Sequence, residues 1–155
     1  LVLLQFLLSI LVIFPFIIHK MWSKAGIKQG LPSLDVDNKE FPKISIVIPS
    51  WNEALIINAK LDNLAKQLYP KNNLEIIFID SASTDNTVSL IKSWLEKNPS
   101  KLGENIIILE EPQRRGKSFA INRAFEEASG EIVMMTDVFI ISNCDAAHEL
   151  CSIFY

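Results

Sequence analysis

Cysteine is scarce in this chain of 155 residues: Cys144 and Cys151 are the only two. Two thiols are too few for a secreted disulfide framework, and no second pair completes a cysteine zinc site. Five glycines exclude a collagenous repeat, and an apolar content of 49% excludes a disordered tail. Positive charge is not in excess either, with 15 Lys and Arg against 18 Asp and Glu and a net charge of -3. Nucleic-acid binders carry a basic face that releases counterions from phosphates, so that class is set aside. No GxGxxG occurs, which removes support for a nicotinamide or flavin site. Gly116-Lys117-Ser118 stands between a strand and a helix as a P-loop does, but the glycine that motif needs five positions earlier is Glu111. A carboxylate there is the wrong charge for a phosphate cradle.

What is present begins with a long apolar run. From Leu1 to Ile18 only Gln5 and Ser9 are polar and nothing is charged. A helix of that length, rising about 1.5 Å per residue, roughly matches a ~30 Å hydrocarbon core, so residues 1–18 are expected to form a transmembrane helix. His19, Lys20, Trp22, Lys24 and Lys28 follow, a basic and aromatic flank that places the rest of the chain on the cytoplasmic side. Residues 19–42 carry Gly26, Gly30, Pro32 and Pro42 without sustained periodicity and read as a juxtamembrane linker. The chain starts at Leu1 rather than Met and stops at Tyr155 in an apolar stretch, and is expected to be a piece of a longer product.

The expected domain, residues 43–155, alternates strands with helices. Ile44–Ile48 is a β-branched run ended by Pro49, and Ala54–Tyr69 has helical spacing at Ile57, Leu61, Leu64 and Leu68. Leu74–Ile79 is a second strand, after which Ser83-Thr84-Asp85 offers cap chemistry to a helix running through Val88, Ile91, Trp94 and Leu95 to Asn98-Pro99. Ile106–Leu109, Ser118–Ala128 with Gly130 as its stop, and Ile132–Thr136 supply a third strand, a third helix and a fourth strand. Strands that are apolar throughout need cover on both faces, and helical crossovers give it. The expected fold is therefore a doubly wound α/β layer with a parallel sheet.

In such a sheet ligands sit beyond the carboxyl ends of the strands. Pro49-Ser50-Trp51-Asn52-Glu53 puts an indole there, either as a platform for a base or as a cap on the core. Asp80-Ser81-Ala82-Ser83-Thr84-Asp85 crowds carboxylates and hydroxyls at a helix start; Asp80 is the candidate ligand, Thr84 and Asp85 the candidate caps. Arg114, Arg115 and Lys117 could meet a diphosphate or form a solvated basic loop. Asp137, after the fourth strand, could ligate Mg²⁺ or Mn²⁺. Cys144, His148 and Cys151 have the spacing of a zinc triad on a short helix, which rarely completes four ligands.

The segments from Lys43 to Asp137 together resemble the donor half of family-2 glycosyltransferases with the GT-A fold. The resemblance rests on Ile46-Val47-Ile48-Pro49-Ser50-Trp51-Asn52-Glu53, Ile79-Asp80-Ser81-Ala82-Ser83-Thr84-Asp85, Arg115-Gly116-Lys117-Ser118-Phe119-Ala120-Ile121-Asn122 and Gly130-Glu131-Ile132-Val133-Met134-Met135-Thr136-Asp137. It implies a partial Rossmann-like GT-A domain, a nucleotide-sugar donor, usually a UDP-sugar with Mg²⁺ or Mn²⁺, and inversion at the anomeric carbon. The implied donor-binding residues are Pro49, Trp51, Asn52, Glu53, Asp80, Ser81, Lys117 and Asp137, with Trp51 against the base, Asp80 on the nucleoside, Lys117 near the diphosphate and Asp137 on the metal. It also suits a membrane enzyme making a polysaccharide or glycolipid, whose catalytic base lies beyond Tyr155; the fragment alone is expected to be inactive.

Two positions depart from the family pattern. Ser81 stands where a second aspartate is usual, and Phe139 stands where the metal motif has its second Asp or Asn. A phenyl group cannot ligate a divalent cation, which puts metal-dependent transfer in question. The alternative these departures motivate is a nonenzymatic nucleotide-sugar-binding or scaffolding module; a P-loop phosphohydrolase is opposed by Glu111.

Overall fold

A computed structural model describes residues 41–153. The expected transmembrane helix over 1–18 and nearly all of the expected linker over 19–42 lie outside the described residues. Among the described residues, no helix is long and apolar enough to cross a membrane.

Four parallel strands form one sheet in the order β3-β2-β1-β4: β1 (Ile44–Ser50), β2 (Leu74–Asp80), β3 (Ile106–Glu110) and β4 (Ile132–Met135). Helices α1 (Ile57–Ala65), α2 (Thr87–Lys97) and α3 (Lys117–Glu127) make the crossovers, and α4 (Ala146–Cys151) follows β4. The expected βαβαβαβ alternation and parallel sheet are both present. The chain steps outward from β1 to β2 to β3 and then returns past β1 to place β4 on its other side. That reversal makes the β1–β4 border the topological switch point, where doubly wound sheets open a ligand crevice.

The period-two pleat divides the core. Ile44, Ile46 and Ile48 of β1 and Leu74, Ile76 and Phe78 of β2 point to one face, where Ile57, Leu61 and Leu64 of α1 and Ile91 and Trp94 of α2 cover them. Val47, Ile77 and Ile79 point to the other and meet Ala120 and Ala124, small residues that let α3 lie close. Each fully buried aliphatic side chain contributes about 1.5–3 kcal/mol relative to exposure, so the two central strands hold the layer together. The edge strands are less covered: β3 is half-buried along most of its length, and Val133 and Met135 of β4 are exposed.

Three local expectations are corrected. The first helix does not run to Tyr69, and Leu68 is 72% exposed rather than on its buried face. Pro70 disfavours helical geometry at Tyr69, and Lys71 caps the freed end, its Nζ donating to the carbonyls of Ala65 at 3.3 Å and Gln67 at 3.0 Å. Tyr69 is buried instead, its hydroxyl donating to the Pro42 carbonyl at 2.6 Å and its ring edge-on to Phe41. Second, α2 begins at Thr87, so Thr84 is not its cap; Asp85 does serve that end, its Oδ1 accepting from the Thr87 N–H at 3.0 Å. Third, Gly130 is not a helix stop. α3 ends at Glu127 with Ala128 already extended, and a Cβ on Gly130 would lie 2.5 Å from the Ser45 backbone nitrogen.

Below the sheet, at the amino ends of its strands, Glu75 gathers four donors. Its carboxylate accepts from Ser45 Oγ at 2.5 Å, Ser129 N at 2.9 Å, Ser129 Oγ at 2.5 Å and Lys43 Nζ at 3.3 Å. Burial pushes this carboxyl up, but the hydrogen bonds from Ser129, Ser45 and Lys43 outweigh it and bring its pKa down to about 2. One acid thereby ties β1 and β2 to the segment that leads into β4.

Candidate functional site

The carboxyl ends of β1, β2 and β4, with the segment before α3, surround an open cleft of about 160 Å³. Of the residues proposed from sequence, Pro49, Trp51, Glu53, Ser81, Arg114, Lys117 and Asp137 line it, and Ser50, Val138 and Phe139 complete it. Pockets that enclose a drug-sized ligand run to about 300–1,000 Å³, so this cleft is smaller than a site that encloses such a ligand.

Asn52 and Asp80 are placed differently from expectation: neither lines the cleft. Asp80 is buried, and its carboxylate holds its own turn, accepting from Ser83 N at 2.8 Å, Ser83 Oγ at 2.5 Å and Ser50 Oγ at 3.3 Å. Asn52 stitches the β1 loop to the β2 loop. Its N–H donates to Ser83 Oγ at 2.8 Å and its Oδ1 accepts from Thr84 N at 2.8 Å. It adopts φ 55°, left-handed geometry that asparagine tolerates better than most residues. Asp85 adds a second stitch, Oδ2 accepting from Ala54 N at 3.1 Å, and Thr87 Oγ1 accepts from Glu53 N at 2.8 Å. The hydrogen bonds with Thr87 hold the Asp85 carboxyl below its ordinary range. The acidic turn is thus a brace that presents Trp51 and Ser81 to the cleft. Ser81 is turned back in part, its hydroxyl donating at 3.1 Å to the buried Glu111, which does not itself line the cleft.

Trp51 is 42% exposed and does not cap the core. One face of its indole carries the Arg114 guanidinium, 3.5 Å from the ring centroid. This stacking joins two loops distant in sequence and uses the ring quadrupole. Arg115 instead lies over Phe119 and is not among the lining residues. Lys117 opens α3 after Gly116, whose φ of 98° suits glycine, and its ammonium pairs with Asp137.

Sequence reasoning missed Lys60. This α1 lysine is 1% exposed and its Nζ donates to Thr136 Oγ1 at 3.0 Å and the Ile140 carbonyl at 2.7 Å. It pins both ends of the segment that carries Asp137 and Phe139. Burial lowers its pKa to about 8, against an upward pull from Asp137.

The lining brings two cations, Arg114 and Lys117, together with two carboxylates, Glu53 and Asp137. Asp137 is the carboxylate beside the β4 end, it is already paired with an ammonium, and Phe139, 66% exposed, occupies the rim next to it. Glu53 is the other acid of the lining, set against Arg114 and Lys117. Among the described residues, no group of three or more His, Cys, Asp or Glu could hold a metal ion. Cys144 is exposed, while Cys151 is buried with its thiol donating to Tyr69 Oη at 3.4 Å.

Comparison with known proteins decides the family. The sequence profile described as Glycosyl transferase family 2 matches residues 45–139. The chain belongs to that family. Similar proteins include the probable glycosyltransferase YdaM of Bacillus subtilis, 29% identical over 85% of this chain and 33% of the relative, and the dolichyl-phosphate beta-glucosyltransferase of Dictyostelium discoideum, 35% identical over 74% and 36%. The chain therefore spans about a third of the length of these curated relatives. Among solved structures, the mannosyltransferase PcManGT of Pyrobaculum calidifontis, in complex with GDP-Man and Mn²⁺, superposes with a TM-score of 0.74 at 34% identity, over 89% of this chain and 39% of that one. Staphylococcus aureus TarS 1-349 in complex with UDP-GlcNAc gives 0.63 at 29% identity, over 71% and 30%. The α/β sheet is GT-A-like, and the family resemblance read from the motifs holds.

Proposed function

We propose that this chain supplies the nucleotide-sugar donor-binding part of an inverting glycosyltransferase that works at a membrane and builds a polysaccharide or glycolipid. The observation that carries the reading is the convergence of Trp51, Arg114, Lys117 and Asp137 on one cleft at the β1–β4 switch point of a family-2 domain. The indole offers a stacking surface for a base, and the two cations face the position a diphosphate would take. Charge builds on the leaving diphosphate as the glycosidic bond breaks, and fixed cations there stabilise it. A base from the acceptor half would deprotonate the incoming hydroxyl for attack on the opposite face of the sugar, which gives inversion. A UDP-sugar is the proposed donor.

Membrane association is supported by the apolar run 1–18 and by the basic flank from His19 to Lys28, which favours a cytoplasmic domain. Mg²⁺ or Mn²⁺ is the family expectation, and PcManGT was solved with Mn²⁺. The residues here fit such an ion poorly: of the two lining carboxylates, Asp137 is engaged by Lys117 and Glu53 lies on a different loop, and a phenyl ring stands where a second ligand belongs.

Titration of the chain with UDP-glucose, UDP-GlcNAc and GDP-mannose tests the reading. Saturable binding of one donor, displaced by its nucleoside diphosphate, is expected; a folded chain that binds none refutes it. Phe139 and Ser81 favour the second reading, a donor-binding module without transfer. Chimeras in which residues 41–153 replace the matching part of an active relative separate the two: sugar transfer supports the enzyme, and donor binding without transfer supports the module.

A further inference from the structure

We infer that the donor diphosphate is held here by a pair of side-chain cations, Arg114 and Lys117, in place of a divalent metal ion, and that Phe139 is the residue that removes the metal requirement. The inference rests on the donor-binding reading and concerns how the same cleft carries the charge of its ligand.

The charged side chains of the lining are Arg114 and Lys117 against Glu53 and Asp137. A divalent cation entering this cleft would meet two positive groups and no surplus of negative ones. Lys117 already holds Oδ1 of Asp137, and the exposed ring of Phe139 supplies no donor atom. Both cations, in contrast, are ready for an anion. Lys117 has three N–H donors, and its pairing with Asp137 uses one face of the ammonium while its side chain stays 53% exposed. Asp137 then serves as the tether that aims Lys117, not as a metal ligand. Arg114 lies over Trp51, its guanidinium carbon 3.5 Å from the ring centroid, and among the described residues no acid pairs with it. A guanidinium with no carboxylate partner has planar N–H donors able to make two parallel hydrogen bonds to phosphate oxygens. The indole that parks Arg114 is also the proposed base platform, so base and diphosphate would be read by two residues already in contact.

Calorimetry on the full 155-residue chain, with UDP and GDP as probes in excess EDTA and again in Mn²⁺, tests this. The expected result is diphosphate binding in EDTA that Mn²⁺ changes by less than about twofold. Lys117→Ala and Arg114→Ala should each weaken it by about tenfold or more, the loss of one charge-assisted phosphate contact, and leave uridine or guanosine binding unchanged. Phe139→Asp should make binding respond to Mn²⁺. Binding that appears only with Mn²⁺, or that ignores both cation substitutions, overturns the clamp and leaves the donor-binding reading intact. A folded chain that binds neither nucleotide under either condition overturns both.

Discussion

The ammonium of Lys60 donates to the hydroxyl of Thr136 at 3.0 Å, so a buried charge on the first helix fixes the end of the strand that delivers Asp137. Its second bond, to the Ile140 carbonyl at 2.7 Å, closes the far side of the same segment. The cleft wall formed by Asp137, Val138 and Phe139 is therefore held from beneath by one side chain.

Burial depresses the Lys60 pKa to about 8 from an ordinary 10.5, with Asp137 opposing. A lysine whose folded pKa lies below its unfolded value binds fewer protons when folded, so stability rises with pH between those two values. The neutral amine still has two N–H donors for Thr136 and Ile140. Unfolding by urea from pH 7 to 10.5 should show a gain of up to about 3 kcal/mol in the wild type that Lys60→Met lacks. Burial lowers Lys71 as well, so the difference between the two proteins is the readout.

Glu75 gives the opposite dependence. Its carboxyl, raised by burial but lowered further by Ser129, Ser45 and Lys43, reaches about 2 from 4.5. A depressed carboxyl contributes stability that is fully present above pH 4.5 and lost as pH falls toward 2, here about 3 kcal/mol. Glu75→Gln should flatten that acid limb in thermal unfolding between pH 2 and 7 and lower the midpoint at neutral pH. An unchanged acid limb would mean that the four hydrogen bonds contribute no net stability.

Much of this architecture was legible because buried parallel strands are written as unbroken apolar runs, and Ile44–Ile48 and Leu74–Ile79 are such runs apart from Ser45 and Glu75. Those two polar residues bond to each other and mark the knot below the sheet. Residues of the cleft were legible where the topology alone places them after a strand, as for Trp51, Ser81 and Asp137. Asp80 and Asn52 sit at equivalent positions, yet their side chains serve the turn, because an unpaired loop N–H nearby competes for them. Lys60 was illegible: a lysine beside Leu61 on an amphipathic helix reads as solvated, and only the tertiary placement of Thr136 and Ile140 gives it a buried partner. Helical spacing at Leu68 misled because Pro70 and the Lys71 cap end the helix first.

Ala82 adopts φ 56° in the turn between β2 and α2, a conformation that costs an L-residue with a Cβ about 1–2 kcal/mol. Glycine there removes that cost and adds back about 0.4–1 kcal/mol of unfolded-state entropy. Ala82→Gly should therefore stabilise the chain by about 0.5–1 kcal/mol in denaturant unfolding, with donor binding unchanged because the brace from Asn52 and Asp85 stays in place. Destabilisation would show that the methyl group makes contacts worth more than the backbone strain.

Trp51 is the substitution that separates a binding role from a packing role. Its indole is 42% exposed, and its contact with Arg114 lies on the surface of the cleft rather than in the core. Removing a half-exposed ring costs little folding energy compared with the loss of a buried one. Stacking of a base on an aromatic ring contributes about 1–3 kcal/mol, which corresponds to about 5- to 150-fold in affinity. Trp51→Ala should thus weaken binding of both UDP and uridine by at least fivefold while the unfolding midpoint moves little, whereas Lys117→Ala weakens UDP alone. Equal losses for UDP and for inorganic pyrophosphate in Trp51→Ala would assign the indole to the positioning of Arg114 instead of the base. A collapse of the fold would return Trp51 to the core despite its exposure. Trp51→Phe completes the comparison: a stacking platform keeps most of its affinity with a smaller ring, and a residue that acts only through Arg114 keeps it in proportion to the cation contact that remains.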